Sequence, residues 1–277
     1  MDHAEIADWD DAYANGAHIP DSDAYPPRWR AEAAAFRHAM HDAGRARLAV
    51  AYGGGERQAL DLFLPDQKTP RGLAVFVHGG YWRRFHREDW SHLAAGPVAH
   101  GWAVAMPSYT LAPDARIAEI GAEVGAAVAI AAGDLIGPIV LAGHSAGGQL
   151  VTRLACESGP LPPPVAARLA HVLSISGVHD LRPLMRTAMN ADLRLGPAEA
   201  AAESPALLAP RAGTRLTAWV GGAERPEFIR QSALLANVWL GLGAATLSVV
   251  EPMKHHFDVI DSLASPHGAL ARALIDI

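Results

Sequence analysis

Ser145 lies in the run PIVLAGHSAGGQL, where Gly143, Ser145 and Gly147 stand in the spacing G-x-S-x-G. Apolar residues precede the motif and QLVTRLA follows it, so a buried strand gives way to a helix at the serine. A serine on such a strained turn is a candidate nucleophile for acyl transfer. Its hydroxyl is a poor nucleophile at neutral pH, so it needs an imidazole to take its proton and a carboxylate to orient that imidazole. Where G-x-S-x-G marks a nucleophile on such a turn, the pattern carries the expectation that the acid and then the histidine follow it along the chain. After RLTAWVGG the stretch AERPEF offers Glu224 and Glu227, and after ATLSVVEPMK come His255 and His256. Glu224 sits in the loop that leaves the strand, where the acid is expected. Glu227, beside Pro226, reads as a first-turn helix residue favoured by the dipole. Asp180 and Asp258 are rival acids, whereas Ser176 and His179 in SGVHD read as loop residues.

Acyl transfer passes through a tetrahedral oxyanion, which needs backbone N–H donors. The residue after the serine, Ala146, supplies one. HGGYW at 78–82, directly after LAVFV, supplies candidates for the others in Gly79, Gly80 and Tyr81, because a backbone without side chains approaches a substrate closely. His78 precedes the serine in the chain and reads as an anchor of that loop.

These residues need a frame. LAVFV, WAVAMP, PIVLAG, HVLSIS, RLTAWVGG and ATLSVVE are each about the length of a strand buried on both faces, and helical stretches separate them. That alternation predicts an α/β fold with a mostly parallel central sheet, helices on both faces and right-handed crossovers. RLAVAY and ALDLFLP flank Gly53, Gly54 and Gly55 and predict a hairpin; without a following Lys-Ser/Thr the glycines are not a phosphate loop. Residues 1–44 form an arm or partial cap, helical in RWRAEAAAFRHAM, and 177–214 a helical excursion over the site. The whole, 1–277, reads as one domain.

Composition narrows the partners. Of the 23 basic residues only Lys68 and Lys254 are lysines, and the formal net charge is −6, so there is no cationic surplus for nucleic acid. Cys156 is the only cysteine, which excludes an internal disulfide and suits a reducing compartment. The acidic start MDHAEIADWDDAYANG lacks the pattern of a secretory signal, and the most apolar helical stretch, IAEIGAEVGAAVAIAAG, carries Glu119 and Glu123. The expectation is a cytoplasmic protein with a small aromatic molecule as its partner, no nucleic acid, no membrane, and a homodimer as the assembly to consider.

Taken together, the motifs resemble the kynurenine formamidases (arylformamidases), a group of α/β-hydrolases related to the hormone-sensitive-lipase-like esterases. The resemblance rests on His78-Gly79-Gly80-Tyr81-Trp82, on Gly143-His144-Ser145-Ala146-Gly147, on Pro226-Glu227-Phe228 with Arg230-Gln231-Ser232, and on His256-Phe257-Asp258. Even the arm, DAYANGAHIPD, is similar to the family's N-terminal segment, and broader esterases tend to have a third glycine where this chain has Tyr81. The resemblance implies Ser145 as nucleophile, His256 as base, and Glu224 as acid at a position where many members have aspartate. It implies Tyr81 and Trp82 beside the substrate, with no metal or cofactor. The reaction it implies is hydrolysis of an N-formyl arylamide such as N-formylkynurenine. A carboxylesterase or thioesterase for small acyl groups is the alternative, since one machinery serves many acyl groups. A non-catalytic binding protein on the same scaffold is the third reading.

Overall fold

In a computed structural model, the described residues are 5–133 and 135–277; the first four residues of the acidic start and Asp134 lie outside them. Eight strands form one sheet: β1 (Ala46–Ala51), β2 (Ala59–Phe63), β3 (Leu73–Val77), β4 (Ala103–Pro107), β5 (Ile139–His144), β6 (Leu169–Ile175), β7 (Arg215–Gly221) and β8 (Ala245–Glu251). Their order is β1-β2-β4-β3-β5-β6-β7-β8. The β1/β2 and β2/β4 pairs are antiparallel and every pair from β4 to β8 is parallel. Each of the eight expected strands is present, and β1 and β2 form the hairpin around the glycine triplet.

The ten α-helices are α1 (Trp9–Tyr13), α2 (Tyr25–Asp42), α3 (Ala95–Ala99), α4 (Ile117–Ala132), α5 (Ala146–Leu154), α6 (Pro163–Ala166), α7 (Asn190–Leu193), α8 (Pro197–Ala202), α9 (Pro226–Gly241) and α10 (Ala269–Ile275), counted among the described residues. Among those residues no helix is long and apolar enough to cross a membrane.

Side chains alternate across a strand, so one apolar run feeds two cores. Leu73, Val75 and Val77 of β3 and Ile139 and Leu141 of β5 pack with Ile120, Val124 and Val128 of α4, Leu150 of α5 and Trp239 of α9. Ala74, Phe76, Val140 and Ala142 point the other way, onto Trp29 of α2, Val98 of α3 and Leu270 and Leu274 of α10. A strand covered on both sides has no polar face to show, which is why β3, β4 and β5 are buried throughout. The edge strand β1 alternates half-buried and exposed residues instead.

The arm is bound to this sheet by charge. Asp61 of β2 is buried and accepts from Arg87 Nε at 3.0 Å and from the Ala49 N–H at 2.9 Å, while Arg37 of α2 donates to its second oxygen. Two guanidinium groups and one backbone N–H therefore compensate a carboxylate taken wholly out of water. Removing it strands Arg87, itself buried, without its counter-charge. We expect Asp61→Ala to lower the unfolding free energy by about 3–5 kcal/mol in urea titration; a loss below about 1 kcal/mol would show that solvent or Glu88 takes over the arginines.

Candidate functional site

The C-terminal ends of the parallel strands, where ligands of open parallel sheets bind, carry all the candidate residues. Ser145 follows β5 directly and caps α5 with φ 57° and ψ −119°, a conformation that costs a non-glycine residue about 1–3 kcal/mol. Its own N–H donates to the Ile175 carbonyl at 2.8 Å and its carbonyl accepts from Gly148 N–H at 2.9 Å, which hold the turn in place. A Cβ on Gly147 would run into the Val77 carbonyl oxygen, so only glycine lets α5 start so close to β3.

Glu224 lies in the turn after β7 and curls back on its own strand end. Its Oε1 accepts from the Gly221 N–H at 2.8 Å and from the Ser176 hydroxyl, and its Oε2 accepts from His256 Nδ1 at 2.6 Å. Both Glu224 and His256 are buried. With Nδ1–H donated to the carboxylate, His256 keeps the lone pair on Nε2. His256 and Ser145 line the same cavity. Among the described residues no hydrogen bond joins Ser145 Oγ to the ring, an open arrangement that unliganded sites of this chemistry adopt until substrate tightens them.

The rival acids are engaged elsewhere. Asp180 accepts from Arg182 Nε at 2.9 Å and Nη2 at 2.8 Å. Burial alone would raise its pKa, but the bonds from the Arg182 side chain and backbone outweigh it and hold the carboxyl below the usual range. Asp258 accepts from the His255 N–H at 2.8 Å and pairs with Lys254. His255 meets the hydroxyl of Tyr25 at 2.9 Å, and so faces α2 rather than Glu224. Glu227 is a first-turn residue of α9, as expected, but a buried one: its carboxylate accepts from Tyr13, Arg230 and Gln231, each at 2.8 Å at its nearest oxygen or closer.

Gly79 presses against the turn, where an added Cβ would sit 2.8 Å from the His144 carbonyl oxygen and 2.9 Å from Ser145 Cβ. Gly80, Tyr81 and Trp82 then take three successive positive φ values, 106°, 53° and 57°. Among the described residues the N–H groups of Gly79, Gly80, Tyr81 and Ala146 have no acceptor, so they remain available to an oxyanion. His78 is buried beneath this loop. Its Nδ1–H donates to the Gly79 carbonyl at 2.8 Å, its ring stacks on Tyr109 at 4.4 Å, and burial pushes its pKa down to about 3.

The cavity, about 240 Å³, is lined by Ser145, His144, His256, Gly80 and Tyr81 and walled by the aromatic rings of Trp29, Phe85, Trp90 and Phe257. Typical pockets for drug-sized ligands hold about 300–1,000 Å³, so this one suits a small ligand. A larger hollow of about 670 Å³ near Arg47, Leu62, Lys68 and Ile136 contains none of the candidate residues.

Two expectations need correction. Trp82 does not reach the cavity: its left-handed backbone turns the indole into the core, where Nε1–H donates to Gln149 Oε1 at 3.1 Å. The segment 177–214, though helical in α7 and α8, contributes no lining residue. The arm supplies that wall with Asn15, Gly16, Ser22, Asp23, Pro26 and Trp29.

Sequence reasoning missed three supports. Ser176 reads as a loop residue yet holds the carboxylate of Glu224. His144, the variable position of the motif, donates from Nε2 to the His256 carbonyl at 2.9 Å and packs on its ring at 4.6 Å. Burial, then the neighbouring His256, keeps the pKa of His144 well below 6.5. Tyr13 seats the arm by donating to Glu227 and by accepting, at its carbonyl, from the Tyr81 hydroxyl at 2.5 Å.

With this geometry established, comparison with known proteins adds relatives. The sequence model of a family described as "Alpha/beta hydrolase family" matches residues 74–275. The kynurenine formamidase of Danio rerio is 28% identical over 237 residues, 82% of this chain and 80% of the relative. That of Salmo salar is 28% identical over 241 residues, again 82% and 80%. A Silicibacter sp. TM1040 crystal structure described as a "putative thioesterase" is 50% identical, with a TM-score of 0.91 over 98% of this chain and 99% of that one.

Two outcomes are expected. Trp82→Ala should cost about 3–5 kcal/mol of stability by leaving a core cavity; unchanged stability with altered substrate affinity would return Trp82 to the site. His78 and His179, each pushed down to about 3 by burial, and His144 stay neutral in the folded chain below their ordinary 6.5. The unfolded chain therefore takes up protons that the native state refuses, and stability falls as pH drops from about 6.5 towards 3, by up to about 1.4 kcal/mol per pH unit for each ring. Urea unfolding between pH 7 and 5 checks this, and a flat profile would refute it.

Proposed function

This chain belongs to the alpha/beta hydrolase family and is a hydrolase, and on that premise we propose that it cleaves an N-formyl arylamide, N-formylkynurenine foremost, by a Ser145–His256–Glu224 triad. The observation that carries the reading is the small cavity in which Ser145 and His256 meet four aromatic walls. An aryl group fits those walls, and formyl, the smallest acyl group, fits beneath the Tyr81 loop. The similarity to two kynurenine formamidases over most of both chains supports the same choice.

Ser145 Oγ attacks the formyl carbon while His256 Nε2 takes its proton. The oxyanion is met by the N–H groups of Ala146 and the Gly79–Tyr81 backbone. As the C–N bond breaks, His256 returns the proton to the departing arylamine nitrogen, leaving a formyl ester on Ser145. Water then attacks that ester, again through His256, and releases formate and the free serine. Glu224 keeps the imidazole in the Nδ1–H tautomer and balances the imidazolium. No metal or cofactor enters this scheme, the substrate is a small aromatic molecule, and the cytoplasm is the proposed location.

The 50% identity to the Silicibacter protein favours a second reading, a thioesterase or carboxylesterase for small acyl groups using the same triad. Measuring kcat/KM for N-formylkynurenine against acetyl and butyryl thioesters and p-nitrophenyl esters separates them. The formamide should be preferred; an ester or thioester favoured by orders of magnitude would sink the formamidase reading. Ser145→Ala should lower kcat by about 10⁴-fold or more and abolish labelling by a fluorophosphonate. Glu224→Gln should lower kcat by about 10³–10⁴-fold while leaving the fold intact, because it presents the wrong hydrogen-bonding pattern to His256; near-normal turnover would remove Glu224 from the triad.

A further inference from the structure

Arg57 stands in the turn between β1 and β2, after the glycine triplet, on the antiparallel side of the sheet. It lines no part of the cavity that holds Ser145, yet both of its hydrogen bonds end on loops beside HGGYW. Its Nε–H donates to the Tyr109 carbonyl, after β4, at 2.8 Å, and its Nη2–H donates to the Phe85 carbonyl, after β3. Among the described residues the guanidinium makes no bond to a carboxylate. It is half-buried, and burial pushes its pKa below the ordinary arginine value. A cation drawn partly out of water needs strong acceptors, and this one has two backbone carbonyls.

Both carbonyls belong to residues that shape the loop of N–H donors. Tyr109 lies against its start: the hydroxyl donates to the His78 carbonyl at 2.9 Å, and the ring stacks on His78 at 4.4 Å. Phe85 closes its end. There the chain folds back on Gly80, so that an added Cβ on Gly80 would sit 2.6 Å from the Arg84 carbonyl oxygen and 2.7 Å from Phe85 Cδ2. Gly80, Tyr81, Trp82 and Phe85 all have positive φ, and so strained a turn keeps its shape only where its surroundings over-determine it. We propose that Arg57 is a positioning residue for the oxyanion site, clipping both ends of segment 78–85 so that the N–H groups of Gly79, Gly80 and Tyr81 stay aimed at the acyl oxygen. This rests on the reading of Ser145 and HGGYW as serine-hydrolase machinery, but not on which acyl or leaving group is used. Arg57 acts through Tyr109 and Phe85 and never on substrate, so its loss weakens transition-state stabilisation more than ground-state binding.

The rate at which a fluorophosphonate labels Ser145 in the full chain reads the clip, because the phosphoryl oxygen draws on the same N–H donors as the bond to serine forms. Arg57→Met should slow labelling by about 10–100-fold and lower kcat for p-nitrophenyl acetate by a similar factor, with KM changed less than about threefold. Arg57→Lys keeps a cation with N–H donors and should recover part of that loss. Tyr109→Phe removes only the bond to the His78 carbonyl; it should slow labelling as well, and by a smaller factor in the Arg57→Met background, since both act on one loop. Should Arg57→Met fail to fold, Arg57→Gln takes its place in this cycle. Labelling of the folded variant at the wild-type rate, a rise in KM that accounts for the whole loss, or losses at 57 and 109 that multiply independently would overturn the clip. The two readings fail separately. Slowed labelling of Arg57→Met in a protein that does not hydrolyse N-formylkynurenine removes the formamidase reading and keeps the clip, whereas hydrolysis with labelling untouched by Arg57→Met removes the clip alone.

Discussion

The structure depends on the close approach of three backbones at one point: the end of β3, the end of β5 and the first turn of α5. Ser145 can stand at φ 57° only because Gly147 lets the helix begin against the Val77 carbonyl and because the Ile175 carbonyl receives the serine's own N–H. That contact fixes the distance between the serine and the HGGYW loop, since Gly79 packs on Ser145 Cβ from the other side. The nucleophile and the N–H donors of the candidate oxyanion site are therefore set by the same packing. Strain of about 1–3 kcal/mol at the serine is offset by hydrogen bonds and by the two cores that clamp β3 and β5 on both faces.

The second half of the site is held by a different device. The carboxyl of Glu224 is buried, and three donors satisfy it: Gly221 N–H, Ser176 and His256. The bond to Gly221 requires a side chain that folds back over three residues while its other oxygen still reaches His256. A glutamate has that reach, and a shorter aspartate at 224 would have to give up one of the two contacts. His144 then fixes the far end of the histidine through the His256 carbonyl, and Phe228 packs on its ring at 4.6 Å. Each contact restrains a different part of His256, so the ring is oriented before any substrate arrives.

The strands and the order of the candidate triad were legible because they follow from local rules: apolar runs of strand length, helical spacing between them, and a glycine-flanked serine at a junction. The choice among Glu224, Asp180 and Asp258 was not decided by spacing, because all three follow strands; only the side-chain partners of each, Arg182 for Asp180 and Lys254 with His255 for Asp258, separate them. Trp82 misled because sequence shows adjacency but not backbone sign. Tyr81 and Trp82 both have positive φ, and one goes to the cavity and the other to the core. The arm reads as a partial cap in the sequence, but its contacts were not legible there, for a related reason. Its contacts join residues more than two hundred positions apart, Tyr13 to Glu227 and Tyr25 to His255, and no periodicity encodes such pairings.

The arm also decides what kind of site this is. A sheet end with its serine, histidine and acid is open chemistry, able to serve any acyl group that arrives. Here Asn15 donates to the Tyr81 hydroxyl at 3.1 Å, and Trp29 packs on Trp90 at 4.6 Å and on Phe257 at 5.3 Å, so the arm and the core loops form one wall. The space left is small and largely aromatic. Under the proposed reaction the acyl group would lie beneath Tyr81 and the leaving group along the arm, so selectivity would come from the group that departs. On that reading, a chain that kept Ser145, His256 and Glu224 but exchanged these first thirty residues would keep the proposed reaction and change its substrate.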